Sequence, residues 1–142
     1  MNSEAELADA LQGLPHADPF RFLGKIVQFD EDTAEGSWSV HGDEDFFRGH
    51  FPGRPLVPGV LITEAAAQLA GVVTRRRTTV PTAVLVISES RFRKTIEPPA
   101  RIDLQVRIER VMGSIHVFDF TAMVGKDVCA DGQVGLSVDM PS

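Results

Sequence analysis

Tyrosine is absent from this chain, and cysteine occurs once, as Cys129. Without tyrosine there is no phenol to serve as an acid or an oxyanion donor. A lone cysteine excludes an intrachain disulfide and points to a reducing compartment. Cys129 falls in an expected strand with no evident histidine partner, so a thiol nucleophile is not indicated. The chain also lacks a Gly-x-Ser-x-Gly elbow, a phosphate-binding glycine loop and a dinucleotide fingerprint. Positive charge is in deficit: 14 Lys and Arg face 20 Asp and Glu, for a net charge of -6. That balance argues against general nucleic-acid binding. No apolar run reaches membrane-spanning length, and Met1-Asn2-Ser3-Glu4-Ala5-Glu6 carries no apolar signal core. A soluble, cytoplasmic protein is expected. With 142 residues and no repeat, low-complexity stretch or linker, one domain over 1–142 is expected, residues 1–13 forming an N-terminal helical extension.

The most informative stretch runs from Gly49-His50-Phe51-Pro52-Gly53 through Pro58-Gly59-Val60-Leu61 to Glu64-Ala65. It sets one imidazole, His50, in a loop stiffened by Pro52, Pro55 and Pro58. A helix is expected to open at Gly59. From Val60 to Val73 its only polar side chains are Thr63, Glu64 and Gln68. A helix apolar all round is normally buried. Arg75 to Arg77 close its far end and complement the dipole. Glu64 and Gln68, spaced i, i+4, share a face. Desolvation within such a helix favours a protonated glutamate, the form a general acid needs. A base, an acid and a helix N-terminus with unpaired N–H groups together suggest proton transfer on a carbonyl compound. Phe51, Pro58, Val60 and Gln68, within or beside this run, are the candidates to touch substrate. Each residue also has a bland reading, His50 as an ordinary loop histidine and Glu64 as an exposed helix residue. The three roles filled at once favour the functional one.

Elsewhere, residues 3–12 are expected to be helical, and strands are expected near 22–30 and 34–41. Ala83 to Ile87 reads as a buried strand leading into Arg91-Phe92-Arg93. Ile102, Leu104, Val106 and Ile108 alternate with Asp103, Gln105, Arg107 and Glu109, the pattern of a half-buried strand. Met112-Gly113-Ser114 and Gly125-Lys126-Asp127 are hairpin-turn signals separating strands near 101–111, 115–124 and 127–138. One buried helix in a strand-rich chain implies an α+β fold, an antiparallel sheet curled around the helix. Such a sheet leaves its edges exposed, and pairing edge to edge across a two-fold axis relieves that. Arg91, Arg93 and Lys94 could form a basic patch on this acidic chain. His41, Asp43, Asp45 and His50 are metal-compatible but match no motif of defined geometry, so no metal is assigned.

The run from Gly49 to Gln68 resembles the signature of the 3-hydroxyacyl-[acyl-carrier-protein] dehydratases of type II fatty acid synthesis. Leu14-Pro15-His16 with Pro19-Phe20, Phe46-Phe47 and Arg91-Phe92-Arg93 resemble further motifs of that family. The resemblance covers roughly residues 14–138. It implies a hot-dog fold, a homodimer as the active unit, often three dimers in a hexamer, and no cofactor. It also implies His50 as the catalytic histidine, Glu64 as the catalytic acid facing it across the dimer interface, and Gly59 N–H on the thioester carbonyl. Its substrate would hang on the phosphopantetheine arm of an acidic acyl carrier protein, with Arg91, Arg93 and Lys94 as the docking contacts. The chain departs from the pattern at Ala17-Asp18, where Arg-Tyr is usual, near Gly24 and Ser88, where aspartates are usual, and at Pro98-Pro99-Ala100. None of these touches His50, Gly59 or Glu64. A hot-dog acyl-thioesterase and a non-catalytic acyl-binding protein are the competing readings. The first needs no positioned histidine base and the second no acid–base pair.

Overall fold

The structure, a computed structural model, describes residues 1–79 and 82–139. Helix α1 (Glu4–Gln12) is followed by β1 (Lys25–Phe29), β2 (Thr33–Val40), a 3₁₀ turn (Asp45–Arg48) and helix α2 (Gly59–Arg77). Strands β3 (Val84–Phe92), β4 (Ala100–Met112), β5 (Ile115–Val124) and β6 (Asp127–Ser137) complete the chain. All pairings are antiparallel, and the six strands lie in the order β1-β2-β4-β5-β6-β3.

Local signals account for most of these elements. Ser3 and Glu6 form a reciprocal capping box that starts α1, each side chain taking the other's backbone N–H. Pro58 caps α2 and presets its backbone angle, and Arg75, Arg76 and Arg77 sit in its last turn. The β4–β5 and β5–β6 hairpins turn at Gly113 (φ +60°) and Gly125 (φ +59°), a left-handed first loop position that glycine adopts without steric cost.

The sheet wraps α2, which packs on β2, β3, β4, β5 and β6. Ala65, Ala66, Leu69 and Ala70 have no exposed surface, and the small alanines let the sheet close on the helix backbone. From β4, Ile102, Leu104 and Val106 enter this core while Gln105 and Arg107 face outward, as the alternation predicts. Helix α1 packs its Leu7, Ala10 and Leu11 against the same core.

Two expectations need correction. The segment from Ala83 to Ile87 is not a buried strand: Val84 is exposed and Leu85, Val86 and Ile87 are half-buried. The reason is position, because β3 is an edge strand and has a neighbour on one side only. The strand expected near 22–30 begins at Lys25, and Phe22 and Leu23 instead bury their side chains just before it.

Candidate active site

His50 follows the 3₁₀ turn, whose end is tied by Gly49 N–H and His50 N–H to the carbonyl of Phe46 (3.2 and 3.1 Å). The loop then folds back on itself, with Leu56 N–H donating to His50 O at 3.0 Å and Val57 N–H to Ile96 O at 2.9 Å. The imidazole closes the loop from the other side, its Nδ1 lying 2.9 Å from Leu56 O. A carbonyl oxygen can only accept, so Nδ1 carries the proton. In the neutral ring Nε2 is then the bare lone pair, the arrangement of a base.

His50 lines a surface cleft of about 490 Å³ together with Phe51, Val57, Gly59, Val60, Ile62, Phe92 and Ile96. Its walls are mostly apolar, and Arg93 and Lys94 stand at it as the charged members. Gly59 opens α2 here: Leu61 and Ile62 N–H donate to Pro58 O, and the N–H groups of Gly59 and Val60 come before the first carbonyl the helix can offer them. The Phe92 ring presses against this point: a Cβ on Gly59 would lie 2.9 Å from it, so only glycine leaves the ring room. Three of the apolar side chains are open to solvent, Phe51 at 49 %, Val60 at 74 % and Phe92 at 52 %. Pro58, expected to touch substrate, is buried as the helix cap.

Glu64 does not line this cleft. One turn along α2 it is half-buried, and its Oε2 accepts from Gln68 Nε2 at 3.0 Å. His16 Nε2 stands 3.5 Å from the same oxygen. Gln68 spends its other amide proton on Phe20 O (2.8 Å) and accepts Phe22 N–H at 3.1 Å. It is therefore a buried bracket between α2 and the 20–22 segment, with both N–H groups in use, where the sequence makes it a candidate to touch substrate. The rings of His16, Phe20, Phe22, Trp38, Phe46 and Phe47 follow one another at centroid separations of 4.5–6.5 Å. This ladder links the His16 loop to the turn that precedes His50.

The sequence reading placed His16 in a motif and gave it no role. The i, i+4 pairing of Glu64 with Gln68 was legible, but the approach of His16 was not, because 48 positions separate it from Glu64. Arg91, Arg93 and Lys94 also differ from expectation, since they are not a free basic patch. Arg93 makes a bidentate pair with Asp131 (2.6 and 3.2 Å), Lys94 bonds Asp127 (2.9 Å), and Arg91 approaches Glu89 (3.5 Å). The hydrogen bonds from Arg93 hold the Asp131 carboxyl below its usual range, and Asp127 raises the Lys94 ammonium.

Comparison with known proteins follows the same lines. Residues 14–134 match the model of the FabA-like domain family. The 3-hydroxyacyl-[acyl-carrier-protein] dehydratase FabZ of Sinorhizobium fredii is 34% identical over 138 residues, covering 94% of this chain and 90% of its own. Among solved structures, the dehydratase heterocomplex ApeI:P from Xenorhabdus doucetiae aligns with a TM-score of 0.73 at 17% identity, over 94% of this chain and 91% of that one. A thioesterase from Pseudomonas aeruginosa, PA1618, aligns at 0.65 and 15% identity, over 80% and 78%. The fold is thus the hot-dog fold, and at such identities these two structures speak for the fold alone.

Proposed function

This chain belongs to the FabA-like domain family, and on that premise we propose that it dehydrates 3-hydroxyacyl thioesters carried by acyl carrier protein. The observation that carries the reading is the bare Nε2 of His50 at the wall of an apolar cleft that also holds the start of α2. The α-proton of a 3-hydroxyacyl thioester is weakly acidic, so its removal requires stabilising negative charge on the thioester oxygen. Gly59 N–H, at the positive end of α2, is suited to that charge, and such donors are typically worth about 3–4 kcal/mol. His50 takes the α-proton. Glu64 gives a proton to the departing hydroxyl, directly or through one water, and a trans-2-enoyl thioester and water result. Hydration runs through the same groups in reverse.

The acid comes from a second copy of the chain. Supporting this, Glu64 and His50 do not share a cleft within one chain, and Phe51, Val60 and Phe92 leave apolar surface uncovered where the base lies. The edge strand β3 runs directly into this surface at Phe92, which favours edge-to-edge pairing of two sheets, with a hexamer as a further assembly. The carrier docks outside the cleft, where Arg93 and Lys94 stand, by exchanging their present carboxylate partners for its own. No helix among the described residues is long and apolar enough to cross a membrane. A single domain working in the cytoplasm is part of the same reading.

Incubation with a 3-hydroxyacyl thioester tests the proposal. Enoyl absorbance is the expected product signal. Release of free thiol would instead make the chain a thioesterase, and neither signal would leave a binding protein.

A further inference from the structure

We infer that Arg21 is a positioning residue for the acid, acting through His16; the inference rests on the reading of Glu64 as that acid. The segment from Gly13 to Arg21 is the first part of the connection from α1 to β1 and carries His16 near its middle. Its ends are pinned: Leu14 is buried, and Phe20 O is held by Gln68. Between them the imidazole must stand against Glu64, 3.5 Å from its Oε2. The orientation of a functional histidine is usually set by a hydrogen bond at its other ring nitrogen. Here that nitrogen, Nδ1, is buried and has no partner among the described residues. The direction of the ring therefore depends on the main chain that carries it.

Arg21 holds that main chain. Its Nε donates to His16 O and its Nη2 to Leu14 O, both at 2.9 Å. The guanidinium is a planar fork, so two bonds to carbonyls two residues apart fix their relative direction, which one flexible ammonium could not do. Arg21 is half-buried and pairs with no carboxylate among the described residues. Both of these hydrogen bonds are thus spent on the backbone that aims His16. His16 in turn faces the oxygen that Gln68 already holds, so the carboxylate is bonded from the helix by Gln68 and flanked from the loop by His16. Neither Arg21 nor His16 need touch the substrate for this to matter.

The test is a double-mutant cycle with a readout that needs no substrate. Arg21→Met keeps the stem and removes the donors, and kcat for dehydration should fall about 10- to 100-fold, the scale of a misplacement of about 1 Å, with KM little changed. Arg21→Lys retains one donor and keeps the fold, and its loss should be intermediate. On a His16→Ala background Arg21→Met should cost nothing further, because the route is already cut. Equal losses on both backgrounds, or none on either, would overturn the inference and leave Arg21 a loop restraint. The His16 ring resonances of the resting protein give the second readout. Glu64→Gln should shift them in the parent and leave them unmoved in Arg21→Met. If that coupling survives in Arg21→Met, the inference fails whatever the enzyme does. If it vanishes while the parent forms no enoyl product, the positioning stands and the dehydratase reading falls.

Discussion

The two polar centres on either side of the start of α2 are built in opposite ways. Around Glu64 the structure is closed: Gln68 has both amide protons in use, and His16 fills the space beside the carboxylate. Around His50 it is open: one ring nitrogen is fixed on Leu56 O, the other is bare, and the neighbouring Phe51, Val60 and Phe92 face solvent. On the proposed mechanism the acid side is finished within one chain, whereas the base side is completed by substrate and a second copy. A proton donor benefits from a fixed, half-desolvated carboxyl, while a base must be reached by an acyl chain.

Removing the open side should have the largest effect on chemistry. His50→Ala is expected to abolish dehydration without unfolding the protein, since the ring's contacts are one bond to Leu56 O and a stack on the exposed Phe51, outside the core; enoyl absorbance and a thermal melt check both halves of that statement. Near-parental turnover would show that the base lies elsewhere.

On the closed side, Glu64→Gln keeps the shape and removes the transferable proton. Its rate should fall by about 10²–10⁴-fold, the usual span for general acid catalysis, with the melt little changed. A loss below tenfold would show that the proton comes from another group and that the closed side is structural.

Gln68→Leu reverses the emphasis and should act on stability first. It leaves Phe20 O and Phe22 N–H without their partners in a buried setting, which costs about 2–4 kcal/mol by the usual penalty for orphaned groups. Denaturant unfolding measures it directly. An unchanged midpoint would mean that the bracket is dispensable and the acid side less closed than its hydrogen bonds suggest.

The smallest effect is expected at the rim of the open side. Charge reversal at Arg91 and Arg93 replaces two exposed ion pairs by like-charge contacts with Glu89 and Asp131 that solvent screens, so stability should fall only slightly. KM for a carrier-linked substrate should nonetheless rise and turnover of a small free thioester stay the same, with the parental carrier reaction slowing as salt is added. Equal loss on both substrates would move the docking surface to another face, with Arg75 to Arg77 the next basic run to test.

Much of this architecture was legible in the sequence, because it is written in short periods. The apolar run behind Pro58-Gly59, stopped by three arginines, marks α2. Alternation from Ile102 to Glu109 marks β4, and glycines at the hairpin tips place β5 and β6. His50 and Glu64 stood out for the same reason, as isolated polar groups in a patterned stretch. These features depend on neighbours within a few residues, where helix and strand geometry alone decides which side chains share a face.

Packing decided the rest. That β3 lies at the edge, that Arg93 spends its charge on Asp131, and that His16 reaches Glu64 all depend on which strands and loops are neighbours in space. Partners 38 and 48 positions apart leave no periodic trace, since nothing in a local pattern records what another segment brings alongside. Arg21 is the clearest case. In the sequence it is one cation in an aromatic-rich turn, and only the folded loop turns its guanidinium onto the carbonyls of Leu14 and His16. Local periodicity was enough to name the elements and the two polar centres; the orientation of the acid belongs to the tertiary structure, because a hydrogen bond needs its partner in place as well as in the chain.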